Sequence, residues 1–543
     1  MEILKKFVLS VVFVIVCKLC WSTSSAARMG SIRGLSGPES ISTHSQVTQK
    51  RTPNTFTELR WKKSCTGSYY DFFATLYFCE EHQANNTAMY GYKPHPNDPC
   101  RSEKNNPLIR LQAGVRYRLT LVNTMEENRE STNLHLHGVH ISGFNDRVWD
   151  QISPGNCLHY NWTIPEDHME GAFLYHAHGF QTARKQLNHG AYGIGIVDPS
   201  PSELPDSDRP HFLTRERLLL LATRRDLSFS RVLYHSANGL REYNAVLDME
   251  QGVWHYLSIL VMDPVADVRS ISFDESACQV RAASYDGIWR STVPSPREQY
   301  EFGVTGASRL GVAIKCSSSS TIQYYPNSDF PALEVELRIS SSKKSSEEEL
   351  ESWVPQRPQY LRSLLDEPLS PESRIDGESG GDFRVIMTDD SFNRVTFSVA
   401  DEPPPPILSL PLNAVHEFEI DYSQYHPFHM HVQAFQVASP QGCGNIFEHG
   451  EFYDTLSAAM GDQADEKVPC LIRFATHISG PTLVHCHSLN HEGAMAWIQV
   501  AYNDDINHQH EKSGMDPLQN YDDQQCASSE SLTYWDVTDC SKA

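Results

Sequence analysis

Short apolar runs recur along most of the chain, and many of them alternate. Val115-Arg116-Tyr117-Arg118-Leu119-Thr120-Leu121-Val122 places large apolar side chains at every second position, and Val415-His416-Glu417-Phe418-Glu419-Ile420 alternates over its second half. Neighbouring side chains on a strand point to opposite faces, so such runs predict strands with one buried face. Pro, Gly, Asn and Asp stand between the runs, and long helical periods are few. Many short strands separated by turn signals predict β-sandwiches or barrels. Three are expected, at 52–200, 212–340 and 381–505. Between the last two, Ser, Glu and Pro crowd around Glu347-Glu348-Glu349, and 341–380 reads as an acidic linker or long solvated loop. Residues 506–543 read as an acidic C-terminal tail.

The first residues change the picture of where the chain works. Lys5 and Lys6 precede the apolar run Phe7 to Val16, and Ser25-Ala26-Ala27 offers small residues for cleavage, so 1–27 reads as a signal peptide. Lys18 interrupts the run well short of the roughly 20 apolar residues of a membrane span. A secreted protein with no membrane span is expected. Of the 13 cysteines, Cys17 and Cys20 would leave with the leader, which leaves an odd number. If Cys486 is reserved for chemistry, Cys65, Cys79, Cys100, Cys157, Cys278, Cys316, Cys443, Cys470, Cys526 and Cys540 could form up to five disulfides, with connectivity open. Asn85-Asn86-Thr87 and Asn161-Trp162-Thr163 are glycosylation sequons that agree with export. The balance of 45 basic against 68 acidic residues, a net charge of -23, disfavours nucleic acid and anionic membranes as partners and suits cationic or neutral ones.

The chemistry lies in histidine clusters. They are His135-Leu136-His137-Gly138, His176-Ala177-His178, His426-Pro427-Phe428-His429-Met430-His431, and His485-Cys486-His487 with His491. With 25 histidines in 543 residues, a His-x-His triplet arises roughly once by chance. Five occur, and His508-Gln509-His510, in the polar tail, is taken as the chance one. The other four lie in or beside apolar strand-like runs, where an unpartnered imidazole is costly to bury. Residues two apart on a strand share a face, so the four pairs supply eight nitrogens, enough for three copper ions with room for oxygen. Cys486 points away from His485 and His487, and with His426 and His491 it makes the Cys-plus-two-His set of a blue electron-transfer copper. A zinc site would use three or four ligands and leave most of these side chains unexplained.

These clusters, in this order, resemble the copper-binding motifs of the multicopper oxidase family, which includes laccases, ascorbate oxidase, bilirubin oxidase and ferroxidases. The likeness extends through Pro165-Glu166-Asp167-His168 and Gly190-Ala191-Tyr192-Gly193 in the first region and through Val415 to Val500 in the last. It implies an all-β fold of three cupredoxin-like Greek-key β-sandwich domains and four coppers. By the same resemblance His135 and His429 hold type 2 copper, and His137, His176, His178, His431, His485 and His487 hold the type 3 pair. His426, Cys486 and His491 hold type 1. Two positions depart from the family pattern. Leu136 stands where Trp is usual, and the axial position five residues after His491 is Ala496, with Met495 one short.

Reduction of oxygen to water consumes protons, and Asp146 and Asp454 are the candidate carboxylates to relay them. The expected reaction is one-electron oxidation of a reductant at the type 1 site coupled to four-electron reduction of O2, laccase-like on phenols or aromatic amines. A ferroxidase or cuprous oxidase is the second reading, although the 12 methionines form no cluster of the soft ligands that gather Cu(I). A copper-binding protein without turnover uses the same ligands. A two-domain nitrite reductase fits less well, because the chain has room for three domains. The sequence leaves the physiological reductant and the oligomeric state open.

Overall fold

The computed structural model describes residues 56–500 apart from 65–69, 83–87, 101–105, 201–209, 226–231, 264–268, 326–331, 342–349, 371–382, 386–407, 421–425, 457–469 and a few shorter stretches. The leader, the sequon at Asn85, the acidic core of 341–380 and the tail with Cys526, Cys540 and His508-Gln509-His510 lie outside the described residues.

Alternation in the sequence becomes alternation of burial. Arg116–Asn123 buries its odd-numbered side chains and leaves the even-numbered ones half-buried, whereas His255–Met262 is buried along its whole length and runs through the middle of a seven-stranded sheet. Among the described residues the strands form six sheets, two for each of three sandwiches. One pairing scheme recurs in all three. In the first sheet of each sandwich, Phe72–His82 runs parallel to Arg116–Asn123, Glu216–Arg225 to His255–Met262, and Phe383–Val385 to Val415–Ile420. In the second, Ile109–Gln112 runs parallel to Tyr192–Asp198, Val246–Glu250 to Leu333–Ser340, and Leu408–Leu410 to Met495–Val500. Among the described residues the remaining strand pairs are antiparallel. Parallel neighbours require crossover connections between the sheets, which is the Greek-key form of a sandwich. The fold is all-β with three cupredoxin-like domains.

Each sandwich has its own apolar core. A fourth cluster joins them, with Met169 from the first, Trp254 and Trp289 from the second, and Val415 and Phe452 from the third. The segment 353–370, inside the stretch expected as an acidic linker or long solvated loop over 341–380, is packed at several points. Tyr360, Leu361 and Leu364 are buried in the joining cluster, and Tyr360 stacks on His140 at 3.9 Å. Burying each such side chain contributes about 1.5–3 kcal/mol, enough to dock a polar stretch that carries a few large apolar anchors. Disulfides join Cys79 to Cys100, Cys278 to Cys316 and Cys443 to Cys470, and Cys157 is also disulfide-bonded. Among the described residues Cys486 is the free cysteine, and it is buried.

Candidate metal centre

The four His-x-His triplets come from strands that pair within each outer domain. His135 lies opposite His176 in the first domain, and His429 lies opposite His485 in the third. Strand alternation sends the residue between each pair the other way: Leu136 and Ala177 enter the core of the first domain, and Met430 and Cys486 enter that of the third. Leu136, in the position where Trp was the familiar residue, therefore packs the core and does not face the imidazoles. The eight histidines meet between the two domains. His135 stacks on His431 and His137 on His429, each with ring centroids 3.8 Å apart, and all eight are buried.

Most of these rings are pinned from outside and left open within. His135 and His431 each direct Nδ1 to one oxygen of Asp146, both at 2.7 Å. Asp146 ends a short helix, Gly143–Asp146, of the first domain, and Ser142 before it donates to the Ser479 carbonyl of the third. His176 directs Nδ1 to the carbonyl of Ala177, His429 to that of Asp454, and His485 to that of Cys486. His137 is reversed: its Nε2 faces Asp454 Oδ1 at 3.3 Å and Thr455 Oγ1 at 3.1 Å.

The inward atoms have no ordinary partners. Nε2 of His135, His176 and His429, Nδ1 of His137 and both nitrogens of His487 are buried without a hydrogen bond. Nε2 of His485 faces Nε2 of His431 at 3.0 Å and of His178 at 3.3 Å. Since His431 and His485 carry their protons on Nδ1, their facing Nε2 atoms are two lone pairs. Burial, reinforced by the neighbouring imidazoles, pushes His135, His137, His178, His429, His431 and His487 well below their ordinary pKa. It takes His176 and His485 to about 4. The rings are thus neutral, the form that binds metal. Converging lone pairs that repel one another are unfavourable without a cation among them, so the residues present fit a metal cluster. Burial raises the Asp146 carboxyl well above its usual range and Asp454 to about 7, against the lowering effect of Arg309.

A second constellation lies on the opposite face of the His485-Cys486-His487 strand. Cys486 Sγ is 3.3 Å from His426 Nδ1 and 3.5 Å from His491 Nδ1, and it accepts the backbone N–H of Ser488 at 3.4 Å. His426 is buried and His491 is partly exposed. Cross-strand register places Met495 opposite His485 and Ala496 opposite Val484. Directly opposed residues share a face, so Ala496 lies on the side of Cys486 and in its core cluster, and Met495 points to the other side.

The histidine and cysteine candidates, Asp146 and Asp454 all fall within these two constellations. What sequence reading missed is the contribution of the middle domain. Arg309 donates to the Asp454 carboxylate, and Asp286 Oδ2 accepts the backbone N–H groups of Asp454 and Thr455. The Asp286-Gly287 dipeptide between two apolar runs is a hairpin signal, but its destination is not a local property.

Family models described as multicopper oxidase match residues 102–202 and 382–505, the two segments that carry the ligand clusters. No curated protein sequence matches the chain. Solved structures with a similar fold include a multicopper oxidase from Pseudomonas thermotolerans, 18% identical, with a TM-score of 0.57 over 79% of this chain and 99% of that one. A laccase from Pediococcus acidilactici is 17% identical, with a TM-score of 0.59 over 83% and 95%. A multicopper oxidase from Campylobacter jejuni, described as a metallo-oxidase, is 18% identical, with a TM-score of 0.59 over 82% and 96%. At such identities these neighbours speak for the fold. With both matched segments and the convergent histidines, this chain belongs to the multicopper oxidase family, the oxidoreductases that use oxygen as acceptor.

Proposed function

We propose that the protein is a secreted, laccase-like oxidase that holds four coppers and oxidises phenols or aromatic amines one electron at a time. The observation that carries this reading is the nest of eight neutral, buried imidazoles with their lone pairs converging. His426, Cys486 and His491 would hold type 1 copper, His135 and His429 type 2, and His137, His176, His178, His431, His485 and His487 the type 3 pair. When bound, copper would supply one-electron oxidation at the first site and four-electron reduction of oxygen to two waters at the cluster.

The chain itself contributes connection and orientation. Cys486 is bonded through the backbone to both His485 and His487, and the Cys486 carbonyl accepts the Nδ1–H of His485 at 2.9 Å, so the two constellations share a short covalent and hydrogen-bonded link. The partly exposed His491 edge gives a reductant its approach, while buried Cys486 stays out of water. Asp146 commits both oxygens to imidazole N–H groups, and Asp454 and Thr455 hold His137; their placement supports an orienting role for both carboxylates ahead of any part in proton delivery.

The net charge of -23 favours a cationic reductant as a second reading, a ferroxidase or cuprous oxidase. Copper content, the visible spectrum and oxygen uptake of the purified protein distinguish these. About four coppers with blue absorption and uptake with a phenol support the laccase-like reading. Uptake with ferrous iron alone favours the ferroxidase, copper without turnover a binding protein, and zinc or no metal sinks the assignment.

A further inference from the structure

The middle domain supplies no histidine to the nest, yet it reaches the nest through one hairpin. Strands Cys278–Tyr285 and Ile288–Trp289 are joined by Asp286 and Gly287, with φ of 50° and 72°. Positive φ at both central residues is the type I′ turn, for which Asp-Gly is a preferred pair. The tip fits against the first domain without a side chain between them: a Cβ on Gly171 would lie 2.3 Å from the carbonyl oxygen of Gly287. On the other side, Asp286 Oδ2 accepts the N–H groups of Asp454 and Thr455 at 3.2 and 3.1 Å. Arg309, on the adjacent strand Arg309–Cys316, donates Nη2 to the Asp286 carbonyl at 2.7 Å and to Asp454 Oδ2, and Nη1 to the Ala307 carbonyl at 3.0 Å. Gly138, which follows His137, gives the guanidinium room, since a Cβ there would lie 2.6 Å from Nη2.

We infer that Arg309 and Asp286 are positioning residues for the copper cluster: from the middle domain they fix Asp454 and Thr455, which turn Nδ1 of His137 inward. The inference rests on the reading of His137 as a copper ligand. A guanidinium with several acceptors at fixed angles locks a carboxylate rotamer in a way a single point charge does not. Asp286 locks the backbone of the same two residues, so both holders of the His137 ring are set by one turn. Outer partners of this kind tune metal affinity by roughly tenfold to a hundredfold.

The test uses the full chain with Arg309→Met and Asp286→Asn, compared with the unaltered protein for copper affinity of the nest, type 2 electron paramagnetic resonance, near-ultraviolet absorption of the coupled pair, blue absorption and thermal midpoint of the metal-free form. The expected result is a loss of nest affinity of about tenfold or more with altered near-ultraviolet absorption of the coupled pair, while blue absorption persists. Unchanged cluster spectra and affinity in folded variants, even with a lowered thermal midpoint, would overturn the inference and leave an ordinary structural ion pair. If Arg309→Met does not fold, Asp286→Asn, which keeps the shape of the side chain, decides alone. An unaltered protein that binds no copper in the nest refutes the underlying reading instead.

Discussion

Ala496 lies on the side chain face of Cys486 at the position where a thioether would be looked for, so among the described residues the cysteine-histidine constellation offers a metal three protein ligands, His426, Cys486 and His491. The axial ligand tunes the potential of such sites. Replacing Ala496 by Met should lower the potential by tens of millivolts and change the visible spectrum, measured by redox titration; Met495→Leu, on the other face, should leave both unchanged. A second residue-scale consequence concerns His168, buried against His140, whose N–H it accepts through Nε2 at 2.9 Å while Nδ1 donates to the Met169 carbonyl. Burial takes its pKa to about 4. In the unfolded chain the group titrates near 6.5, so as pH falls the unfolded state takes up the proton first. Stability from this residue is whole above about 6.5 and is lost as pH falls towards 4, on the order of 3 kcal/mol across the window. His168→Gln should flatten the decline of the thermal midpoint over that range relative to the unaltered protein.

Among elements, the hairpin tip at Asp286-Gly287 is a tight joint between domains. A methyl group on Gly287 would meet the Ala172 carbonyl oxygen at 2.5 Å and burden a residue with φ of 72°. Gly287→Ala should therefore destabilise by about 1–3 kcal/mol, read from the denaturant midpoint. The strands and the histidine pairs were legible in the sequence because both are patterns of period two carried by adjacent residues. The Asp-Gly turn was equally local, but its landing on Asp454, 168 positions away, depends on how three sandwiches dock. The burial of Tyr360, Leu361 and Leu364 was hidden for a related reason. The acidic and Ser-rich surroundings outweigh Tyr360, Leu361 and Leu364 in any composition average, while only those few side chains decide whether the segment packs.

For the whole molecule, a net charge of -23 surrounds a cysteine-histidine site whose partly exposed edge is His491. Electrostatic steering acts over about one Debye length, ~10 Å at 0.1 M salt. The kcat/KM for a cationic reductant should fall several-fold as ionic strength rises to physiological values, that for a neutral phenol should hold steady, and that for an anionic reductant should rise. Stopped-flow oxidation of the three classes at graded salt checks this.

His178 and His485, whose ring nitrogens face each other, are 307 positions apart. A ribosome adding about 5–20 residues per second needs roughly a quarter of a minute to a minute to cross that interval. For that time the first domain carries half a nest and no means of completing it. A chain cut short before His485 would lack Cys486 and at least two of the eight imidazoles. With copper bound as proposed, nascent and truncated chains would lack the complete site at which oxygen is reduced.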